Sequence, residues 1–150
     1  MIDLLALVAA TLATPTCDTS FTLYAEEAEF TDGSAASDNY DNNRDACWEI
    51  APSCEDHVVL SFPRVDVEEG YDFVQVYDSW GKLMGKPASE GSTFSGSRLT
   101  VHFHSDESVA KTGFSAHYSC SVLSEEHTLI IPEENHADEV VPAPFGRRGW

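Results

Sequence analysis

Glu68-Glu69-Gly70-Tyr71-Asp72-Phe73-Val74-Gln75-Val76-Tyr77-Asp78 is the stretch from which the fold can be read. Two acids and a glycine open it, and the residues from Tyr71 onward alternate. Val74 and Val76 fall on one face, while Phe73, Gln75 and Tyr77 fall on the other. That is the period of two of a half-buried strand. Asp72 enters on the valine side, directly after the turn that carries Glu68 and Glu69. A strand led in by carboxylates suits a hard cation held at the rim of a sheet.

Outward from this strand the same alternation recurs. Val58, Leu60 and Phe62 share a face of a strand over 57–62, which Pro63 is expected to close. Leu99, Val101 and Phe103 point inward from 98–104, and Phe114, Ala116 and Tyr118 line a last strand ending at Cys120. Cys47 to Ile50 forms a strand with Trp48 and Ile50 inward, ended by Pro52. Residues 21–30 give one early strand or two short ones, with Tyr24 and Phe30 as apolar anchors. Residues 31–45 and 105–113 carry the Gly, Ser, Asn and Asp of turns. Residues 79–92 form a long polar loop, in which Trp80 is a candidate partner contact and Met84 its apolar neighbour. Many short strands without helical periodicity predict an all-β chain, an antiparallel β-sandwich.

The 150 residues suit one domain with arms. Residues 15–121 form the sandwich. Residues 1–14 contain the apolar run Ile2 to Ala13, which reads as a signal peptide or an N-terminal arm, although Asp3 stands where a basic residue is usual. This run is shorter than the ~20 residues of a spanning helix, and no other segment could span a membrane. Residues 122–150 are acidic and proline-bearing, an extended tail on which Ile130, Ile131 and Phe145 are candidate partner contacts. Phe145-Gly146-Arg147-Arg148 reads as a basic patch rather than a processing signal. With 26 acids against 8 Lys and Arg, the net charge is -18, which argues against nucleic acid and for a basic protein partner or divalent cations. Cys17, Cys47, Cys54 and Cys120 lack the spacing of a zinc site. They predict two disulfides in one of three connectivities, and hence secretion or an oxidising organelle lumen.

Taken in order, several segments resemble a CUB domain. They are Asn39-Tyr40-Asp41-Asn42-Asn43, Cys47-Trp48-Glu49-Ile50, Leu60-Ser61-Phe62 and Tyr71 to Asp78. Phe94-Ser95-Gly96-Ser97, Val101 to Asp106 and Gly113 to Tyr118 continue the series, so the resemblance runs from about residue 17 to 120. It implies a jelly-roll sandwich and the disulfide Cys17–Cys47, which leaves Cys54–Cys120 as the other pair. Two features depart from the family pattern: Cys47 directly precedes Trp48, and the family's usual second disulfide has no cysteines here.

The resemblance also implies a calcium site at one end of the sandwich. Tyr40 matches the family tyrosine, Glu68 the glutamate with Glu69 competing, and Asp72 and Asp106 the two aspartates. Ser108, or a carbonyl near it, would complete the shell. The residues support this independently, since calcium takes six to eight oxygen donors and converging carboxylates repel without a cation. In the family such loops present acidic oxygens to a partner's lysine or arginine. His102 and His104, facing outward, and His117, placed on a neighbouring strand, read as solvated strand histidines rather than zinc ligands. No GxSxG, HExxH or phosphate-cradling loop is present, and catalysis has no support. The expected function is non-catalytic, calcium-dependent protein recognition. The alternative is a structural subunit of a larger assembly, clamped to its neighbours by both arms.

Overall fold

Alternating burial builds nine strands among the described residues of the computed structural model, which are 14–121 apart from 36, 55, 89 and 90. They are β1 (Thr19–Leu23), β2 (Glu27–Thr31), β3 (Asp45–Ile50), β4 (His57–Asp66), β5 (Phe73–Tyr77), β6 (Leu83–Gly85), β7 (Ser92–Gly96), β8 (Leu99–His104) and β9 (Gly113–Ser121). One sheet has the order β1-β3-β8-β5-β6 and the other β2-β9-β4-β7. All pairs are antiparallel except β1 with β3, which run parallel. The leader and the tail, with Ile130, Ile131 and Phe145, lie outside the described residues.

The core is the space between the inner faces. Trp48 and Ile50, Val74 and Val76, and Leu99, Val101 and Phe103 come from the first sheet. Val58, Leu60, Phe62, Phe114, Ala116 and Tyr118 come from the second. Phe114 is the hinge of an aromatic cluster, with ring centroids 5.4 Å from Trp48, 5.8 Å from Phe103, 6.0 Å from Phe30 and 6.1 Å from Phe62. Such pairs add roughly 0.5–1.5 kcal/mol each beyond the area they bury. The disulfides are Cys17–Cys47 and Cys54–Cys120.

Several local expectations are corrected. Pro63 does not close its strand, because β4 continues to Asp66. The pairing with β9 shifts between Ser61 and Arg64, so a bulge takes up the residue that cannot donate an N–H. The polar loop 79–92 contains β6, and Ser92–Gly96 is an edge strand on β4, missed because Phe94 is its single large apolar residue. Tyr24 is no anchor, since it is 73% exposed between β1 and β2.

Gly113 opens β9 with a φ of 79°. A Cβ there would collide with the carboxylate of Asp32, which is 1% exposed. That carboxylate accepts the Phe114 N–H at 2.9 Å through Oδ2 and the Ser34 N–H at 2.9 Å through Oδ1. Gly113→Ala therefore strains the backbone and displaces a buried acceptor together. The expected loss is about 2–4 kcal/mol, read as a lower urea midpoint at unchanged slope.

Candidate metal centre

The rim is assembled by three loops. Glu68 to Asp72 makes the turn into β5, closed where the Glu68 carbonyl accepts the N–H groups of Asp72 at 3.0 Å and Tyr71 at 3.3 Å. Gly70 supplies the positive φ, 86°, that this turn requires. Residues 39–44 precede β3 and residues 105–112 follow β8, and the two are tied together. Tyr40 N–H donates to the Lys111 carbonyl at 2.9 Å, and the Asn39 amide to the Ala110 carbonyl at 3.0 Å. Ser105, fully buried, donates its hydroxyl to the Asp41 carbonyl at 2.7 Å and accepts the Arg44 N–H at 2.9 Å. Sequence reasoning passed over Ser105, whose signal was its place in the Ser-Asp pair.

These ties bring one carboxylate oxygen each of Glu68, Asp72 and Asp106 within 4.8 Å of one another. Oxygens at 2.3–2.6 Å from a shared calcium ion would be spaced at about that distance or less. Asp72 is buried and holds the group together. Its Oδ2 accepts the Tyr40 hydroxyl at 2.5 Å, and its Oδ1 accepts the Asp106 N–H at 2.8 Å. The Tyr40 oxygen in turn accepts the Glu68 N–H at 3.1 Å. Burial, followed by the bond to Asp72, pushes the Tyr40 phenol up to about 12, so it keeps its proton. In this arrangement Tyr40 positions two of the three acids. Asp106 Oδ1 accepts the Ser108 N–H at 2.9 Å, while the Ser108 side chain faces solvent. Glu69 is exposed and stands outside the cluster.

Glu68 Oε2 is buried and has no hydrogen-bond partner among the described residues. Burial pushes its carboxyl up, as do the charges of Asp106 and Asp72, while Lys111 opposes them. An all-oxygen donor set with a shielded, unpartnered oxygen and mutual repulsion suits a hard divalent cation. Beside the site runs a groove of 710 Å³, with Val65, Val67, Val74 and Pro87 among its walls and Asp66, Glu69, Asp72 and Lys86 along it. Tyr71, 66% exposed, lies within the turn from Glu68 to Asp72. Trp80 is 73% exposed, but it lies beyond the other end of β5 and so apart from the rim.

The histidines do not converge. His102 and His104 share the outer face of β8, but His117 lies in the other sheet, 3.0 Å from Glu27. No helix among the described residues is long and apolar enough to cross a membrane.

The family model for the CUB domain matches residues 17–118. The chain belongs to the CUB family. CUB domains are protein-interaction modules of extracellular proteins, non-catalytic in the relatives, and they commonly bind calcium. Mouse Tolloid-like protein 2 is 32% identical over 92 residues, covering 54% of this chain and 9% of that protein. Exoskeleton protein RP43 of Riftia pachyptila is 28% identical over 110 residues, covering 65% of this chain and 26% of that protein. The CUB match thus spans about a tenth of the Tolloid-like proteins. Among solved structures, the extracellular region of zebrafish Gpr126/Adgrg6 superposes with a TM-score of 0.61 at 24% identity, over 69% of this chain and 15% of that one. The MASP-1 CUB2 domain bound to Ca2+ gives 0.53 at 16% identity, over 65% of this chain and 96% of that one. At these identities the likeness establishes the fold.

Proposed function

We propose that this CUB domain binds one calcium ion at its rim and uses the ordered loops to recognise a basic side chain of a partner protein, outside the cell or in an oxidising lumen. The observation that carries this reading is the convergence of one carboxylate oxygen each of Glu68, Asp72 and Asp106 within 4.8 Å, together with a buried Glu68 oxygen that has no hydrogen-bond partner among the described residues. Those three acids would supply the charged donors. Tyr40 would hold Asp72 and Glu68 in place, with Ser108 or a nearby carbonyl filling out the shell. Bound calcium neutralises the repulsion among the acids and fixes the loops. The groove favours a lysine or arginine, whose aliphatic stem can lie on Val65, Val67 and Val74 while its charge meets Asp66 and Glu69. The two disulfides support the oxidising location.

Thermal unfolding tests the cation. Ligand that binds only the folded chain adds about 2.7 kcal/mol at a hundredfold excess over its dissociation constant, a shift of roughly 10–20 °C for a domain of this size. The expected result is a calcium-dependent rise in Tm, reversed by chelator and much smaller with magnesium, whose rigid octahedral demand this open rim does not meet. Equal shifts with both ions, or none, would contradict the reading.

The response to pH has a definite sign. The Glu68 carboxyl lies above its unfolded value, so in calcium-free chain its contribution favours folding at low pH and is lost as pH rises through the folded value. Calcium takes the deprotonated form, so its affinity rises across that same window. The calcium-induced Tm shift is therefore expected to be large at neutral pH and to vanish on acidification.

A further inference from the structure

A second cluster lies on the outer face of the five-stranded sheet. Cys47 on β3 and His102 on β8 are directly paired across the strands, and Cys17 is joined to Cys47 just before β1 begins. The two sulfurs and a ring nitrogen of His102 all lie within 4.8 Å of one another. His102 is 9% exposed, unlike a solvated strand histidine. Its Nε2 is 2.5 Å from Asp45 Oδ1, and its Nδ1 is buried with no hydrogen-bond partner among the described residues. A carboxylate on one imidazole nitrogen, an unpartnered second nitrogen and two sulfurs beside the ring together make an arrangement in which histidine can ligate a metal.

We propose that reduction of the Cys17–Cys47 disulfide converts this cluster into a Cys2His site for zinc. Two thiolates and a neutral imidazole are donors that zinc accepts tetrahedrally, with the fourth position left to water. The oxygen-only rim selects hard cations, so the two sites discriminate between metals. A dithiol reductant supplies the two electrons and two protons that cleave the S–S bond, and leaves as its own disulfide. Zinc then displaces the two thiol protons to solvent, while His102 coordinates through Nδ1 and keeps its Nε2–H on Asp45. Cys17 is half-buried and open to the reductant. The donors stay together after cleavage, because β1 remains paired to β3 over five positions from Thr19↔Ala46 to Leu23↔Ile50, and Phe21 stacks on Trp48 at 5.6 Å.

The test is a titration of the full chain with Co2+, a spectroscopic stand-in for zinc, before and after reduction with a phosphine, with far-ultraviolet circular dichroism recorded alongside. The expected result is a thiolate-to-cobalt charge-transfer band with tetrahedral visible absorption that appears only after reduction and is bleached by zinc. It should persist in Cys54→Ser and be lost in Cys17→Ser. Asp45→Asn should weaken cobalt binding about 10- to 100-fold through loss of the carboxylate behind His102, and His102→Ala should weaken it further. Thiols of an unfolded chain, or those of Cys54 and Cys120, would not respond to Asp45 or His102. Equal affinity in these two variants, no band in the reduced chain, or loss of the strand signal on reduction would each overturn the proposal.

Discussion

Asp72→Ala is expected to abolish calcium binding and, in the same variant, to destabilise the calcium-free chain. Asp72 supplies one of the three rim oxygens, and it is also the acceptor for the Tyr40 hydroxyl and the Asp106 N–H. Each donor left without its acceptor in a buried setting costs about 1–3 kcal/mol. Relief of repulsion toward Glu68 and Asp106 offsets part of this, so the expected net loss is roughly 2–4 kcal/mol, the lower part of that summed range. Asp106→Ala separates the two effects. Its carboxylate accepts the Ser108 N–H on an exposed loop, so the variant should lose calcium binding while its calcium-free urea midpoint changes little. If Asp72→Ala and Asp106→Ala destabilise the calcium-free chain equally, Asp72 does not hold the rim together.

Phe114→Ala is expected to be the most destabilising core substitution, at about 3–5 kcal/mol. The ring is fully buried and meets Phe30, Trp48, Phe62 and Phe103, which come from both sheets. Its removal opens a cavity where the sheets meet, and neighbours pinned on rigid strands cannot collapse into it. Against a typical total of 5–15 kcal/mol, this is a large fraction. The check is urea unfolding, with a much lower midpoint at unchanged slope. A loss under about 1.5 kcal/mol, the range of a tolerated core swap, would mean that the sheets are held together elsewhere.

The sandwich was legible because burial on one face writes a period of two into β4, β8 and β9, each with three alternating apolar side chains, and into β5, where Val74 and Val76 alternate with Phe73, Gln75 and Tyr77. The family resemblance then implied a jelly-roll sandwich, while the order of the strands within each sheet came from the structure. What escaped was governed by tertiary context. β7 is a polar edge strand, stabilised by its pairing with β4 rather than by its own apolar face. The continuation of β4 through Pro63 depends on a bulge that only the partner strand defines. At the rim, the acids were visible as residue types in turn positions, but two roles were not. Tyr40 emerges as the residue that orients Asp72 and Glu68, and Ser105 as the buried tie between loops. The pairing of Cys47 with His102 depends on strand register, and the place of His117 on sheet membership. Alternation alone encodes neither.

The most direct test is a calorimetric titration of the full chain with calcium, run beside Asp106→Ala. The predicted result is a single site with a dissociation constant of about 10⁻⁴–10⁻³ M, typical of extracellular modules, and no heat of binding in the variant. Absence of binding by the native chain at about ten times that range, or unchanged binding by the variant, would contradict a calcium site built from Glu68, Asp72 and Asp106.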